Sequence, residues 1–102
     1  MTPCTTDCEV TSASATSATV RYEANTCCNV QHVFVYIWDD PSQPFNENDN
    51  TLLGSKFVAN STNGSTAISL SPSATYGDFV AQVVHVDTNL SVEEESSCLG
   101  TF

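Results

Sequence analysis

Five cysteines stand in a chain of 102 residues: Cys4, Cys8, the adjacent pair Cys27-Cys28, and Cys98. Thiols at this density can pair as disulfides in an oxidising setting, hold zinc, or remain buried as small apolar side chains. The Cys4/Cys8 spacing suits a pair of zinc ligands. Cys27-Cys28 does not, because neighbouring residues in extended chain point to opposite sides. Disulfides are therefore the expectation, with zinc the rival. The two histidines, His32 and His85, could hold a metal together with Asp87 if the fold made them neighbours; two separate histidines near a sheet edge are the plainer expectation. Asp39 to Asn50 offers oxygen ligands suited to calcium, with Asn46, Asn48 and Asn50 at alternate positions. That run lacks the central Gly and distal Glu of an EF-hand, so a solvated loop is expected. There is no Gly-rich phosphate loop, no Ser-centred nucleophile elbow and no His-Glu metal helix. No catalytic residue is assigned, and no cofactor or metal is expected. Asn60-Ser61-Thr62, Asn63-Gly64-Ser65 and Asn89-Leu90-Ser91 are glycosylation sequons, relevant only on a eukaryotic or archaeal secretory route.

Charge narrows the partners. Two basic residues, Arg21 and Lys56, oppose twelve acidic ones, for a net charge of −10. Phosphate backbones are bound through Lys and Arg clusters, so nucleic acid is excluded as a partner. Anionic membrane surfaces are excluded on the same ground, and no apolar run approaches the ~20 residues that span a bilayer. Met1-Thr2-Pro3-Cys4 has neither a charged nor an apolar leader region, so no signal peptide is expected. The length allows one domain with one modest core.

The elements that must position these residues are short and extended. From Glu9 onward the chain reads as β segments. Between Thr16 and Ala24, Ala18, Val20, Tyr22 and Ala24 alternate with Thr19, Arg21 and Glu23, the period of a half-buried strand. Further strands are expected over Val30 to Trp38, Leu52 to Ala59, Thr66 to Leu70, Tyr76 to Val86 and Leu90 to Cys98. Clusters rich in Asn, Pro, Gly and Ser separate them. Seven strands with turns every eight to twelve residues predict an all-β, seven-stranded antiparallel sandwich over residues 9–102, with a barrel as the lesser alternative. Residues 1–8 form a separate polar N-terminal segment.

Leu70, Pro72 and Tyr76 resemble the fibronectin type III pattern at the corner between strands E and F. There the tyrosine hydroxyl bonds back to the backbone and pins the crossover. Ala18-Thr19-Val20-Arg21-Tyr22 is similar to that family's B strand, although Tyr22 stands where the family usually has Trp. The wider class implied is immunoglobulin-like. A bulge at Gly77 would point Phe79, Ala81 and Val83 inward. The resemblance also implies that the N-terminus and the B–C loop share one pole. Cys4 and Cys8 would then be bridged to Cys27 and Cys28 in either cross-pairing, tethering residues 1–8. Cys98 would lie at the other pole, free or bonded to another chain. It further implies adjacent antiparallel C and F strands. Pairing His32 with His85 sets Phe34 opposite Val83, Tyr36 opposite Ala81 and Trp38 opposite Phe79.

Both faces of that strand pair are apolar: Val33, Val35 and Ile37 on one, Phe34, Tyr36 and Trp38 on the other. A sandwich buries one face of each sheet, so the second is expected to meet a partner. Phe34, Tyr36, Trp38, Phe79 and Val83 are the interface candidates. The functional expectation is a non-enzymatic structural accessory protein on a virion surface, such as capsid decoration or a tail-associated protein of a tailed phage. Its partners would be capsid or other virion subunits, or further copies of itself. The alternative is an extracellular adhesion or spacer module of a cell-surface protein.

Overall fold

The structure, a computed structural model, describes residues 4–25, 28–39, 52–70 and 78–101. Seven antiparallel strands form two sheets: β1 (Thr6–Ser14), β2 (Ser17–Ala24), β3 (His32–Asp39), β4 (Leu52–Val58), β5 (Gly64–Ser69), β6 (Asp78–Val86) and β7 (Val92–Thr101). The order is β1-β2-β5 in one sheet and β4-β3-β6-β7 in the other. This is a β-sandwich, as the spacing of strands and turns predicts. Most boundaries shift from expectation by one or two residues, and two shift further. Strand β1 begins at Thr6, so residues 6–8 belong to the sandwich rather than to a separate segment, and β7 runs past Cys98 to Thr101.

Local chemistry explains the connections. Ser14 pairs with Ser17 across a two-residue turn, and the Ser14 hydroxyl accepts the Thr16 N–H at 3.4 Å. Between β6 and β7, the Asp87 carboxylate accepts the N–H groups of Asn89 and Ser91, both at 2.9 Å. That is how an Asp side chain holds a turn. Asn60, between β4 and β5, adopts a left-handed φ of 54°, which Asn tolerates better than most residues.

The core follows from the period of two. Ala18, Val20 and Tyr22 of β2 face Val33, Val35 and Ile37 of β3 and Phe79, Ala81 and Val83 of β6, closed by Leu53, Ile68 and Leu70. Burying side chains of this size stabilises by roughly 1.5–3 kcal/mol each. Gly54 lets the edges of the two sheets approach, because a Cβ there would meet the Ser69 carbonyl of β5. Gly100 lies under the Phe79 ring, which fills the space a side chain would take.

The pairing of β3 with β6 corrects the expected register by one residue. Val33 lies opposite His85, Val35 opposite Val83, Ile37 opposite Ala81 and Trp38 opposite Val80. A one-residue slip exchanges the faces of a strand. The observed register puts every member of the Val33/Val35/Ile37 and Phe79/Ala81/Val83 sets inside together.

Candidate functional site

The outer face of the four-stranded sheet is the apolar surface that the alternation requires. Phe34, Tyr36 and Trp38 project outward from β3 and are half-buried, since central strands shelter each other's side chains. Val80, Val84 and Val86 share that side of β6 but are themselves buried, at 7% exposure or less. Phe57 and Leu52 of β4 and Val92 and Leu99 of β7 form its more open margins, at 41–65% exposure. The rings organise it: Phe34 and Tyr36 stack with centroids 6.2 Å apart, and Phe34 meets Phe57 at 4.7 Å. Phe34 with Phe57 is a cross-strand pair, of the kind that contributes roughly 0.2–1 kcal/mol. Trp38 Nε1 donates to Gln82 Oε1 at 3.1 Å, which fixes the indole on the sheet. A groove of about 380 Å³ runs over this surface, with Tyr36, Trp38, Gln82 and Val84 beneath it and Leu52, Val92 and Glu95 beside it.

Two expected members of this surface lie elsewhere. Phe79 and Val83 are fully buried between the sheets, so they belong to the core and cannot meet a partner. The register explains the correction: Phe79 lies opposite Asp39 and Val83 opposite Val35, on the inner side of the sheet. Leu52, Phe57 and Leu99 were not singled out from the sequence. Their signal is parity with the outward residues of the neighbouring strand, Phe57 with Phe34 and Leu99 with Val80.

The other sheet presents a different face. Its outward residues include Glu9, Thr19, Arg21, Glu23, Ser65 and Ala67. Arg21 lies 3.9 Å from Glu9 and 3.6 Å from Glu23, exposed contacts worth at most about 1 kcal/mol. Lys56 donates from Nζ to the Ala67 carbonyl at 3.5 Å, across the β4–β5 edge. Both cations are thus drawn away from the aromatic face, where the groove holds a carboxylate, Glu95.

The cysteines pair as Cys4–Cys28 and Cys8–Cys98. The second pair overturns the expectation that Cys8 joins Cys27 or Cys28 and that Cys98 stands outside the bridges. Extended chain rises ~3.3 Å per residue, so the four steps from Cys4 to Cys8 cover about 13 Å and carry Cys8 away from the pole. Cys8 faces inward on β1 beside Tyr22, and Cys98 faces inward on β7 beside Ala81. Their bond therefore joins the two sheets along one side of the sandwich. Cys27 lies outside the described residues.

The histidines are not neighbours. His32 is at the start of β3, where Nδ1 accepts the Asn60 N–H at 2.9 Å and the ring packs 5.4 Å from Phe57. His85 points into the interior and is fully buried. Its Nε2 donates to the Thr62 carbonyl at 3.0 Å, and its ring meets Tyr22 edge-on at 6.1 Å. Tyr22 shares a 2.8 Å hydrogen bond with Ser61. Burial lowers the His85 pKa below 6.5, and the bond to Thr62 opposes that only in part. Its Nδ1, with Thr6 Oγ1 and Ser96 Oγ, is buried without a hydrogen-bond partner among the described residues. The signal in the sequence is parity: His85 continues the inward alternation of Phe79, Ala81 and Val83. Among the described residues no cluster of three His, Cys, Asp or Glu side chains is placed to hold a metal.

Leu70 is buried, and its N–H bonds to the Thr16 carbonyl at 2.9 Å. Pro72, Tyr76 and Gly77 lie outside the described residues, as do residues 40–50 of the loop considered for calcium. A scan against protein-family models finds no match for the chain, and a search of curated proteins finds none.

Proposed function

We propose that this chain is a non-catalytic structural accessory protein that works through protein–protein contacts made by the outer face of its β4-β3-β6-β7 sheet. One observation carries the reading: half-buried Phe34, Tyr36 and Trp38, margined by exposed Leu52, Phe57, Val92 and Leu99, on the side of the sheet that the sandwich core does not cover. Exposed apolar patches of several hundred Å² mark interaction sites, and Tyr and Trp are enriched in them. Burying 400 Å² of apolar area contributes on the order of 10 kcal/mol gross, much of it offset by lost freedom on association. The histidines support a non-enzymatic role. One accepts a backbone N–H, and the other is sealed in the core.

The setting we propose is a virion surface, where an accessory that binds only the assembled lattice stabilises it by mass action. The domain class is immunoglobulin-like, near fibronectin type III. Adjacent antiparallel β3 and β6 support that assignment. An extracellular adhesion or spacer module is the second reading, favoured by the two disulfides, which suit any oxidising exterior.

The test is site-specific photocross-linking. A photoreactive phenylalanine replaces Tyr36 on the aromatic face or Thr19 on the opposite sheet, and the chain is produced in its native context. Adducts to a particle subunit from position 36 and none from position 19 are expected. Adducts to a cell-surface protein select the second reading. The absence of intermolecular adducts from position 36, or turnover of a substrate by the purified chain, overturns the proposal.

A further inference from the structure

The proposed protein-binding role of the aromatic face leaves its partner's chemistry open, and the charge distribution narrows it. Resting on that reading, we infer that the groove receives an extended cationic segment of a different protein, with apolar side chains entering between Leu52 and Val92 and a Lys or Arg meeting Glu95. Charge complementarity favours this occupant over a second copy. The chain carries −10, and its two cations are engaged elsewhere, Arg21 between Glu9 and Glu23 on the other sheet and Lys56 on the Ala67 carbonyl. Among the described residues, the charged group lining the groove is Glu95. Two copies laid face to face would bring carboxylates together with no cation between them, and like charges disfavour association. A basic segment gains the opposite: steering by the acidic field and an ion pair at the groove wall. At about 380 Å³ the groove has room for a few side chains, and an extended strand would point alternate residues into it.

The experiment uses defined probes. Trp38 is the chain's single tryptophan and lines the groove, so its emission reports occupancy. Three capped peptides of about ten residues, alternating Leu with Lys, Leu with Ser or Leu with Glu, are titrated against the full chain. The Leu/Lys peptide is expected to shift Trp38 emission to the blue and saturate. Its affinity should fall about tenfold at high salt and about tenfold in Glu95→Lys. Glu23→Lys, on the opposite sheet, should leave it unchanged. Equal binding of the Leu/Ser peptide, or an unaltered affinity in Glu95→Lys, overturns the cationic assignment. So does failure of all three peptides. If they fail while position 36 still cross-links to a subunit, the protein-binding role stands and only the partner's chemistry is wrong. Concentration-dependent dimers abolished by Leu99→Asp would name a second copy as the occupant instead. Trp38 emission already blue and unquenched in the free chain would name the chain's own residues.

Discussion

The two ends of the sandwich interior are built on different physics. At one end Ala18, Ile68 and Leu70 of the first sheet face Ile37 and Phe79 of the second, with Leu53 at the edge and the Phe79 ring over Gly100. That end is held by close packing. At the other end Tyr22 and His85 fill the same layer, satisfied in part by Ser61 and the Thr62 carbonyl. Thr6, Ser96 and the second His85 nitrogen add buried polar atoms without partners there. Packing is indifferent to pH, whereas a buried polar group stabilises only while its partners and protonation state are kept. The polar end is also the one nearer Cys4–Cys28, while Cys8–Cys98 fastens the sheets beside Tyr22. Covalent closure thus accompanies the polar end, with Cys8–Cys98 reaching from Tyr22 across to Ala81 in the middle of the other sheet.

The strongest way to break this contrast is to remove the covalent closure. Cys8 and Cys98 are 90 residues apart in sequence, and Cys4 and Cys28 are 24 apart. In the chain-entropy description, losing the longer loop costs about 4–5 kcal/mol and the shorter about 3–4 kcal/mol. Paired Cys→Ala variants compared by urea unfolding should follow that order; equal losses would show that the sheets hold together without the Cys8–Cys98 bond. Next in size is Phe79→Ala at the packed end, expected to cost about 3–5 kcal/mol, with a loss that stays constant with pH. Tyr22→Phe at the polar end should cost about 1 kcal/mol, by leaving Ser61 without its partner. A neutral result there would mean that water replaces the tyrosine hydroxyl.

The smallest effect is a slope. The folded-state pKa of His85 lies below its ordinary 6.5, so between those values the unfolded chain binds more protons. Stability from the neutral ring is fully present above pH 6.5 and is lost as pH falls from there towards the folded-state pKa. His85→Gln, which keeps an amide donor for the Thr62 carbonyl, should flatten that part of the stability profile relative to wild type. Parallel profiles would remove His85 as the source of the contrast.

Much of this was legible in the residues. The alternation from Ala18 to Tyr22 fixed which side of β2 turns inward, because a strand has only two faces. The doubled apolar pattern of Val33 to Trp38 required an uncovered aromatic face for the same reason. The break between β6 and β7 was legible in turn-forming residues, but the sequence also offered Asp87 to a metal, whereas its carboxylate holds that turn. The partner choice of Cys8 was not legible. It depends on Cys98, 90 positions away, lying on the strand at that side of the other sheet.

The sequence by itself determined the elements, the two-sheet class and the presence of an apolar outer face, since each follows from local periodicity and turn chemistry. Only the tertiary structure decided the rest. The register of β3 against β6 put the two histidines on opposite faces and chose, for Phe79 and Val83, the inward alternation over a place in the interface. The extension of β7 past Cys98 brought that thiol to Cys8. Packing the sheets together sealed His85 against Tyr22. Register and sheet-to-sheet placement are set by the summed burial of many side chains distant in sequence, and a single residue's shift reverses every face.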